Sequence, residues 1–462
     1  MGLCVLSRRS VVVGGLALSL GPARAWAQAS PEHSVSAILR ERVDVGRESL
    51  GLVAGLLDGD RRSVFAYGQS GSESNRALDA DTVFEIGSIT KVFTALLFAD
   101  MVVRGEVSPG DPVAKFLPRD VHVPEFDGKP ITLLDLATYT SGLPRLPSNF
   151  KPADKNNPYA DYTVGQLYDF LASYKLSFAP GTHYEYANLG FGLLGHALAL
   201  RAGSSYEELV VSRICAPLGM DSTRITLSPS MKERLARGHD ASLAPVANWD
   251  IPTLAGAGAL RSTANDLFTF LDVSMGNRRT PLAAAMEMTF GERRPTGQGT
   301  PLVGQGWFIS TLHNDEVVWK DGGTGGYASF VGFSTKSRRA RLLLSNAADY
   351  SANTRAGMHL INAAYALPKL RRQVPVDPQI LATYAGRYEV TPSFILTVRP
   401  DGGRLYIQAT AQREFEVFAE SEAEFFYRVV DAQVSFARPE GGVAPSLTLH
   451  QNGNDMPGKR LP

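Results

Sequence analysis

Ser88 and Lys91, in the run EIGSITKVFTALLFADMV, set a hydroxyl and an amine three residues apart. On a helix such positions share a face, with Cβ atoms about 5–6 Å apart, so an amine that shares or gives up its proton can make the serine nucleophilic. A plainer role competes with this, since a serine near a helix start most often serves as an N-cap. Two further segments carry reactive side chains. In PGTHYEYANLGFGLLG, Tyr186 and Asn188 follow the Pro180-Gly181-Thr182 turn. A loop tyrosine is usually a half-buried aromatic, but a phenol beside a lysine ammonium can ionise and take a proton from a serine. Asn188 can hold the lysine or a substrate amide. In WKDGGTGGYASFVGF, Lys320 enters a glycine-dense strand, where a substrate can lie against the backbone with no side chain in its way. A flexible hairpin is the alternative for that segment.

The elements that must hold these groups are legible in the apolar pattern. Phe93, Leu96, Leu97 and Met101 recur at helical spacing after Ser88, which predicts a helix with a buried face. Ser88, preceded by Gly87, then sits in the first turn, where free N–H groups and the helix dipole favour an oxyanion. Upstream, LRERVDVGRESLGLVAGLLDGDRRSVFAYGQSG reads as a helix and two strands joined by the Asp58-Gly59-Asp60 turn. From Ile131 to about Val273 helical patterns and loops dominate, as in LLDLAT, GQLYDFLASY, FGLLGHALALRAG and ANDLFTFLDV. Four strand-like runs follow, from GWFISTL to RARLLLSN, and HLINAAYALPKL reads as a final helix. The expected fold class is α/β (α+β): an antiparallel sheet flanked by terminal helices, with a mostly helical insertion. After LPKLRRQVPVDPQ, six strand-like runs from FILTVRP to SLTLHQNG predict a small antiparallel barrel-like domain.

Composition narrows the function. Lys+Arg and Asp+Glu are both 46 in 462 residues, leaving no net charge to attract nucleic acid or an anionic membrane. LSRRSVVVGGLALSL followed by AWAQAS reads as an export leader over residues 1–27, with Arg8-Arg9 pointing to the twin-arginine route and a periplasmic or secreted product. Its apolar run is too short to span a bilayer. The remaining divisions are 34–367 for the main domain, 368–378 for a linker and 379–455 for the β domain. Of the two cysteines, Cys4 lies in the leader, and Cys215 reads as a buried apolar residue. The eight histidines form no H-x-H or H-x-x-x-H pair, so neither metal nor cofactor is expected.

S-x-x-K at Ser88, Y-x-N at Tyr186 and K-D-G at Lys320, in this order, resemble the serine β-lactamase and DD-peptidase superfamily, in particular the branch of class C β-lactamases, D-amino-acid peptidases and related esterases. TYTSGLP at 138–144, GEVSPGDPVAKFLP at 105–118, PLGMDST at 217–223 and GALRSTANDL at 258–267 extend the resemblance over nearly all of 34–367. It implies that Ser88 is acylated, Lys91 is its proton partner and Tyr186 is the general base. It further implies that Asn188 contacts Lys91 and the substrate amide, and that Lys320 supports Tyr186 and attracts a substrate carboxylate. The oxyanion hole would be the N–H groups of Ser88 and Gly323, with Thr324 beside it and Asn346 a candidate carboxylate contact or helix cap. Lys320 favours a β-lactamase; a D-amino-acid peptidase or carboxypeptidase, or a small-ester esterase, is the alternative, and a penicillin-binding protein with negligible turnover is a third. Two positions depart from the pattern. Asp321 stands where lactamases usually carry threonine, and would repel a substrate carboxylate if it faced the site. Tyr139 stands where relatives often have histidine, in a loop read as structural.

Overall fold

Gly51–Asp58 (β1) and Arg61–Gly68 (β2) form a hairpin, and Gly59 between them takes a left-handed φ of 60° that suits its lack of Cβ. β1 is buried along its length except at Asp58, whereas β2 alternates, as an edge strand with one wet face does. Six later strands complete the sheet: Arg294–Pro295 (β3), Leu302–Val303 (β4), Phe308–Ser310 (β5), Val317–Gly323 (β6), Ala328–Ser334 (β7) and Arg339–Ser345 (β8). Their order is β2-β1-β8-β7-β6-β5-β4-β3, with every pairing antiparallel. The first and last long strands are therefore neighbours, from Leu52 opposite Ser345 to Asp58 opposite Arg339. The chain between β2 and β3 is left to pack outside the sheet, as the helical insertion. This computed structural model describes residues 31–462 apart from 74, 298–300, 368, 411, 413 and 452. The expected leader, with Arg8, Arg9 and Cys4, lies outside the described residues.

Helices cover both faces of the sheet. Pro31–Arg40 (α1) sets Val35 and Leu39 against Leu52, Ala54, Leu56, Phe330 and Leu343. On the other face, Thr90–Val103 (α2), Asn188–Ala202 (α3) and Ala264–Ser274 (α4) join Val53, Leu57, Val331, Leu342 and Leu344 in the large core. α2 is buried on all sides from Thr90 to Met101, beyond the single face its apolar spacing predicted, because the insertion wraps its far side. Burial of each of Phe93, Leu96, Leu97 and Phe98 contributes about 1.5–3 kcal/mol.

The final helix differs from expectation. It is Tyr350–Ile361 (α5), capped by Asp349, whose side chain accepts from the Ala352 N–H, and it ends at extended Asn362. The sequence reading began it at His359, because the Ser, Asn, Thr and Gly residues upstream carry little apolar signal. Those small residues are what closeness to the sheet requires: a Cβ on Gly357 would lie 2.2 Å from the Phe330 ring.

The C-terminal domain is a closed barrel of eight strands between Gly386 and Arg460. The two strands that sequence reading did not find, Gly386–Thr391 and Asn454–Arg460, close it by pairing Tyr388 with Arg460 and Glu389 with Lys459. Their glycines, proline and charges mask the strand alternation, and they carry the domain past the expected end at 455. Tyr388, Leu396, Val398, Ile407, Phe425, Phe436 and Leu449 fill the interior. Arg428 fastens the barrel to the main domain, donating to the Ala241 carbonyl at 2.6 Å while lying 4.0 Å over the Phe418 ring.

Candidate active site

Ser88 occupies a short 3₁₀ turn, Gly87–Ile89, that feeds directly into α2. It does not cap the helix; Ile89 holds the cap position, without a side-chain bond. Instead, Ser88 Oγ accepts from Lys91 Nζ at 2.9 Å and from the Tyr186 hydroxyl at 2.8 Å. Lys91 is fully buried. Its Nζ also donates to Asn188 Oδ1 at 2.9 Å and the Ala257 carbonyl at 2.6 Å, so three acceptors surround the three N–H bonds of an ammonium. Burial pulls this lysine down to about 8, against the opposing pull of Tyr186 and with a smaller push from Lys320. It is thus an ammonium at neutral pH that loses its proton easily.

Tyr186 ends the extended segment before α3, and Asn188 is the first residue of that helix. The Asn188 and Leu189 N–H groups donate to the Arg145 carbonyl at 3.0 and 3.2 Å, while Asn188 Nδ2 donates to the Tyr159 hydroxyl at 3.1 Å. The Tyr186 ring stacks on Tyr139, with centroids 4.9 Å apart and planes 19° apart. Tyr139 therefore does more than shape its loop. Its φ of 58° turns the ring under the proposed base, and burial keeps its phenol neutral by raising its pKa far above the usual range. The stack rigidifies Tyr186 from below.

Lys320, on β6, projects to the same place from the opposite wall. Its Nζ lies 3.4 Å from the Tyr186 oxygen and over the rings of Phe308 and Tyr186, at 4.3 and 4.7 Å. The side chain has no exposed surface, and burial brings it down to about 8, with Asp321 opposing. Asp321 follows the strand alternation toward α5, where its Oδ2 accepts from Thr354 Oγ1 at 3.1 Å. Its Oδ1 nevertheless stays 3.8 Å from Lys320 Nζ.

The same strand runs hard against the Ser88 turn. A Cβ on Gly87, whose φ is 47°, would lie 2.6 Å from Gly323 N, and one on Gly322 would lie 2.9 Å from Ser88 N. Only glycine at these positions lets the two main chains approach, and that approach puts the N–H-bearing atoms of Ser88 and Gly323 side by side. Thr324 is buried next to them, with its hydroxyl unpartnered among the described residues and its carbonyl accepting from Tyr350.

Asn346 is not part of this cluster. Its Oδ1 accepts from the Gly51 N–H at 2.7 Å and its Nδ2 donates to the carbonyls of Gln69 and Ser70, both at 3.1 Å. The amide is spent on joining β8 to the ends of β1 and β2, and Asp349 caps α5 in its stead. Cys215 is buried and free, its thiol pushed up to about 12 by burial. Among the described residues no group of three or more His, Cys, Asp or Glu is arranged to hold a metal ion, and no helix is long and apolar enough to cross a membrane.

Sequence reading missed Arg145, Ala257 and Phe308. Arg145 is exposed, with its guanidinium 5.2 Å over the Tyr186 ring; it lies one residue past TYTSGLP, the only signal that could have found it. Ala257 acts through its carbonyl, which no residue type announces. Phe308 read only as a strand residue.

A profile of the beta-lactamase family matches residues 35–365, and one described as a domain of unknown function (DUF3471) matches residues 370–460. The chain is 30% identical over 306 residues, 63% of its length and 78% of the relative's, to the D-alanyl-D-alanine-carboxypeptidase/endopeptidase AmpH of Escherichia coli strain K12. It is 26% identical over 432 residues, 88% of its length and 93% of the relative's, to penicillin-binding protein 4* of Bacillus subtilis strain 168. The crystal structure of a class C beta lactamase from Rhodobacter sphaeroides superposes with a TM-score of 0.62 at 26% identity, covering 72% of this chain and 100% of that one.

Proposed function

The chain belongs to the beta-lactamase family, and on that premise we propose that it is a serine hydrolase working through an acyl-enzyme on Ser88. The observation that carries this reading is Ser88 Oγ held between Lys91 Nζ at 2.9 Å and the Tyr186 hydroxyl at 2.8 Å. In the proposed cycle an ionised Tyr186 takes the Ser88 proton as Oγ bonds to the substrate carbonyl carbon. The displaced electron pair collects on the carbonyl oxygen, opposite the N–H groups of Ser88 and Gly323. Collapse breaks the bond to the leaving amine or alcohol, which receives the proton through Tyr186, and leaves an ester on Ser88. Water that gives its proton to Tyr186 then attacks that ester; collapse breaks the bond to Ser88 Oγ, which takes the proton back from Tyr186, and releases the acid. Lys91 holds Ser88 and Asn188 in register, and Lys320 Nζ approaches the Tyr186 oxygen at 3.4 Å.

Small esters and D-amino-acid peptides with no free carboxylate on the leaving residue rank first as substrates in this reading. The likeness to a carboxypeptidase/endopeptidase supports it, as does the condition of Lys320, sealed by aromatic rings and faced by Asp321. A β-lactamase is the second reading, favoured by a lysine rather than a histidine at the head of the third motif. A penicillin-binding protein with negligible turnover would differ only in its last step. The leader read at residues 1–27 supports action in the periplasm. The test pairs wild type with Ser88→Ala on a short-chain nitrophenyl ester, a D-alanyl peptide and a chromogenic cephalosporin. Ser88-dependent turnover of ester or peptide with slow or absent lactam turnover is expected. Fast lactam turnover would promote the second reading, and turnover that survives Ser88→Ala would refute the acyl-enzyme.

A further inference from the structure

Lys320 is where the family resemblance puts an anchor for a substrate carboxylate, yet its ammonium is poorly placed to meet one. It has no solvent-exposed surface and lies under the faces of Phe308 and Tyr186. The carboxylate that does reach it is the protein's own: Asp321 Oδ1 at 3.8 Å. Asp321 is not a chance neighbour. It is part-exposed, so it could have turned to water, but its other oxygen lies 3.1 Å from the Thr354 hydroxyl on α5, which shares its proton between Asp321 and the Tyr350 carbonyl at 2.9 Å, and this places the group between helix and site. A fully buried ammonium needs such a partner, because leaving it unpaired in a low-dielectric interior is costly.

We propose that Asp321, positioned by Thr354, is a built-in counter-ion that occupies the electrostatic place of a substrate carboxylate beside Lys320, so that the enzyme selects acyl donors that are uncharged there. This rests on the acyl-enzyme reading of Ser88. Among the other groups facing Lys320, Tyr139 is a neutral phenol, Lys91 and Arg145 are cations that act against its charge, and the Tyr186 oxygen, 3.4 Å away, is committed to the Ser88 proton rather than to a standing pair with the lysine. An incoming carboxylate would meet Asp321 at ion-pair range of the same ammonium, and like charges in one site disfavour the second ion.

A matched pair of substrates isolates the effect: benzylpenicillin and its methyl ester differ only in that carboxylate. In the full-length mature protein, acylation of Ser88 followed by intact mass should favour the methyl ester. Asp321→Asn keeps the size of the side chain and its acceptor for Thr354 but removes the charge. It should shift the preference toward the free acid by roughly tenfold or more. An unmoved ratio, or a wild type that prefers the free acid, would overturn the inference. If neither compound labels Ser88, the Ser88→Ala comparison on the nitrophenyl ester decides the acyl-enzyme reading, and a second measurement decides the role of Asp321. Lys320 holds its proton at pH 7 and has lost it at pH 9.5, given a value of about 8. Asp321→Asn should therefore lower the melting temperature more at pH 7 than at pH 9.5. Equal losses at both would refute the counter-ion.

Discussion

Gly87→Ala tests the proposed oxyanion site where the main chain, not a side chain, does the work. Gly87 has a φ of 47°, and a Cβ there would lie 2.6 Å from both N and O of Gly323. The left-handed conformation alone costs alanine about 1–2 kcal/mol. Real Cβ contacts do not go below 3.0 Å, so the strand must back away from 2.6 Å by at least 0.4 Å. The Gly323 donor then no longer faces the same point as the Ser88 donor. Removing one oxyanion donor costs about 10²–10³-fold in rate in other serine hydrolases, about 2.7–4 kcal/mol. We expect a fall of that order in kcat for a nitrophenyl ester, with KM little changed, alongside a drop in Tm of a few degrees. Gly258→Ala is the control: its Cβ would meet Ile251 at 3.4 Å and Gly87 at 3.8 Å, ordinary contact distances, and its φ of −178° is open to any residue. A folded Gly87→Ala enzyme acylating within threefold of wild type would refute the oxyanion assignment of Gly323.

Asn346→Ala removes the side-chain bonds to the Gly51 N–H and to the Gln69 and Ser70 carbonyls, although Ser70 keeps the Arg237 N–H and Gly51 keeps Ser49 Oγ; urea unfolding should show a loss of about 1–3 kcal/mol, while kcat per folded molecule holds. Lys91 carries a pH signature whose sign is fixed by its depressed value. Between about 8 and its ordinary 10.5 the unfolded chain binds a proton that the folded chain does not, so this group makes stability rise with pH across that window. Unfolding free energies measured at pH 8 and 10 should rise less steeply in Lys91→Met than in wild type; parallel slopes would contradict the depressed value. Arg428→Ala removes the bond to the Ala241 carbonyl and the stacking on Phe418. It should cost about 1.5–3 kcal/mol and speed proteolytic cutting in the 368–378 linker, read by gel against wild type.

Ser88 and Lys91 could be read together because both lie on one helical run, the 3₁₀ turn leading straight into α2, where three residues of sequence fix the distance without help from the rest of the chain. Periodicity likewise gave the hairpin β1–β2, the strands β6 to β8 and the helix α2, since each is written in a local run of apolar side chains. It failed at α5 and at the two barrel-closing strands, where close packing or closure, not local preference, determines the structure. Tyr186 meets Ser88 across 98 residues and Lys320 meets Tyr186 across 134; motif order signalled their company, but only the sheet and the insertion supply the contact.

What the sequence determined by itself is the set of reacting groups: a hydroxyl, two amines, a phenol and two glycines that let backbones touch. What the tertiary structure alone decided is the state of those groups. Strand alternation sends Asp321 toward α5, where Thr354, 33 residues away, meets one carboxylate oxygen, yet the other oxygen stays 3.8 Å from the lysine. Tyr139 becomes the floor under Tyr186, and Asn346 becomes a strut. Charge, burial and orientation at a site depend on neighbours from distant parts of the chain, and those neighbours are fixed only when the core closes.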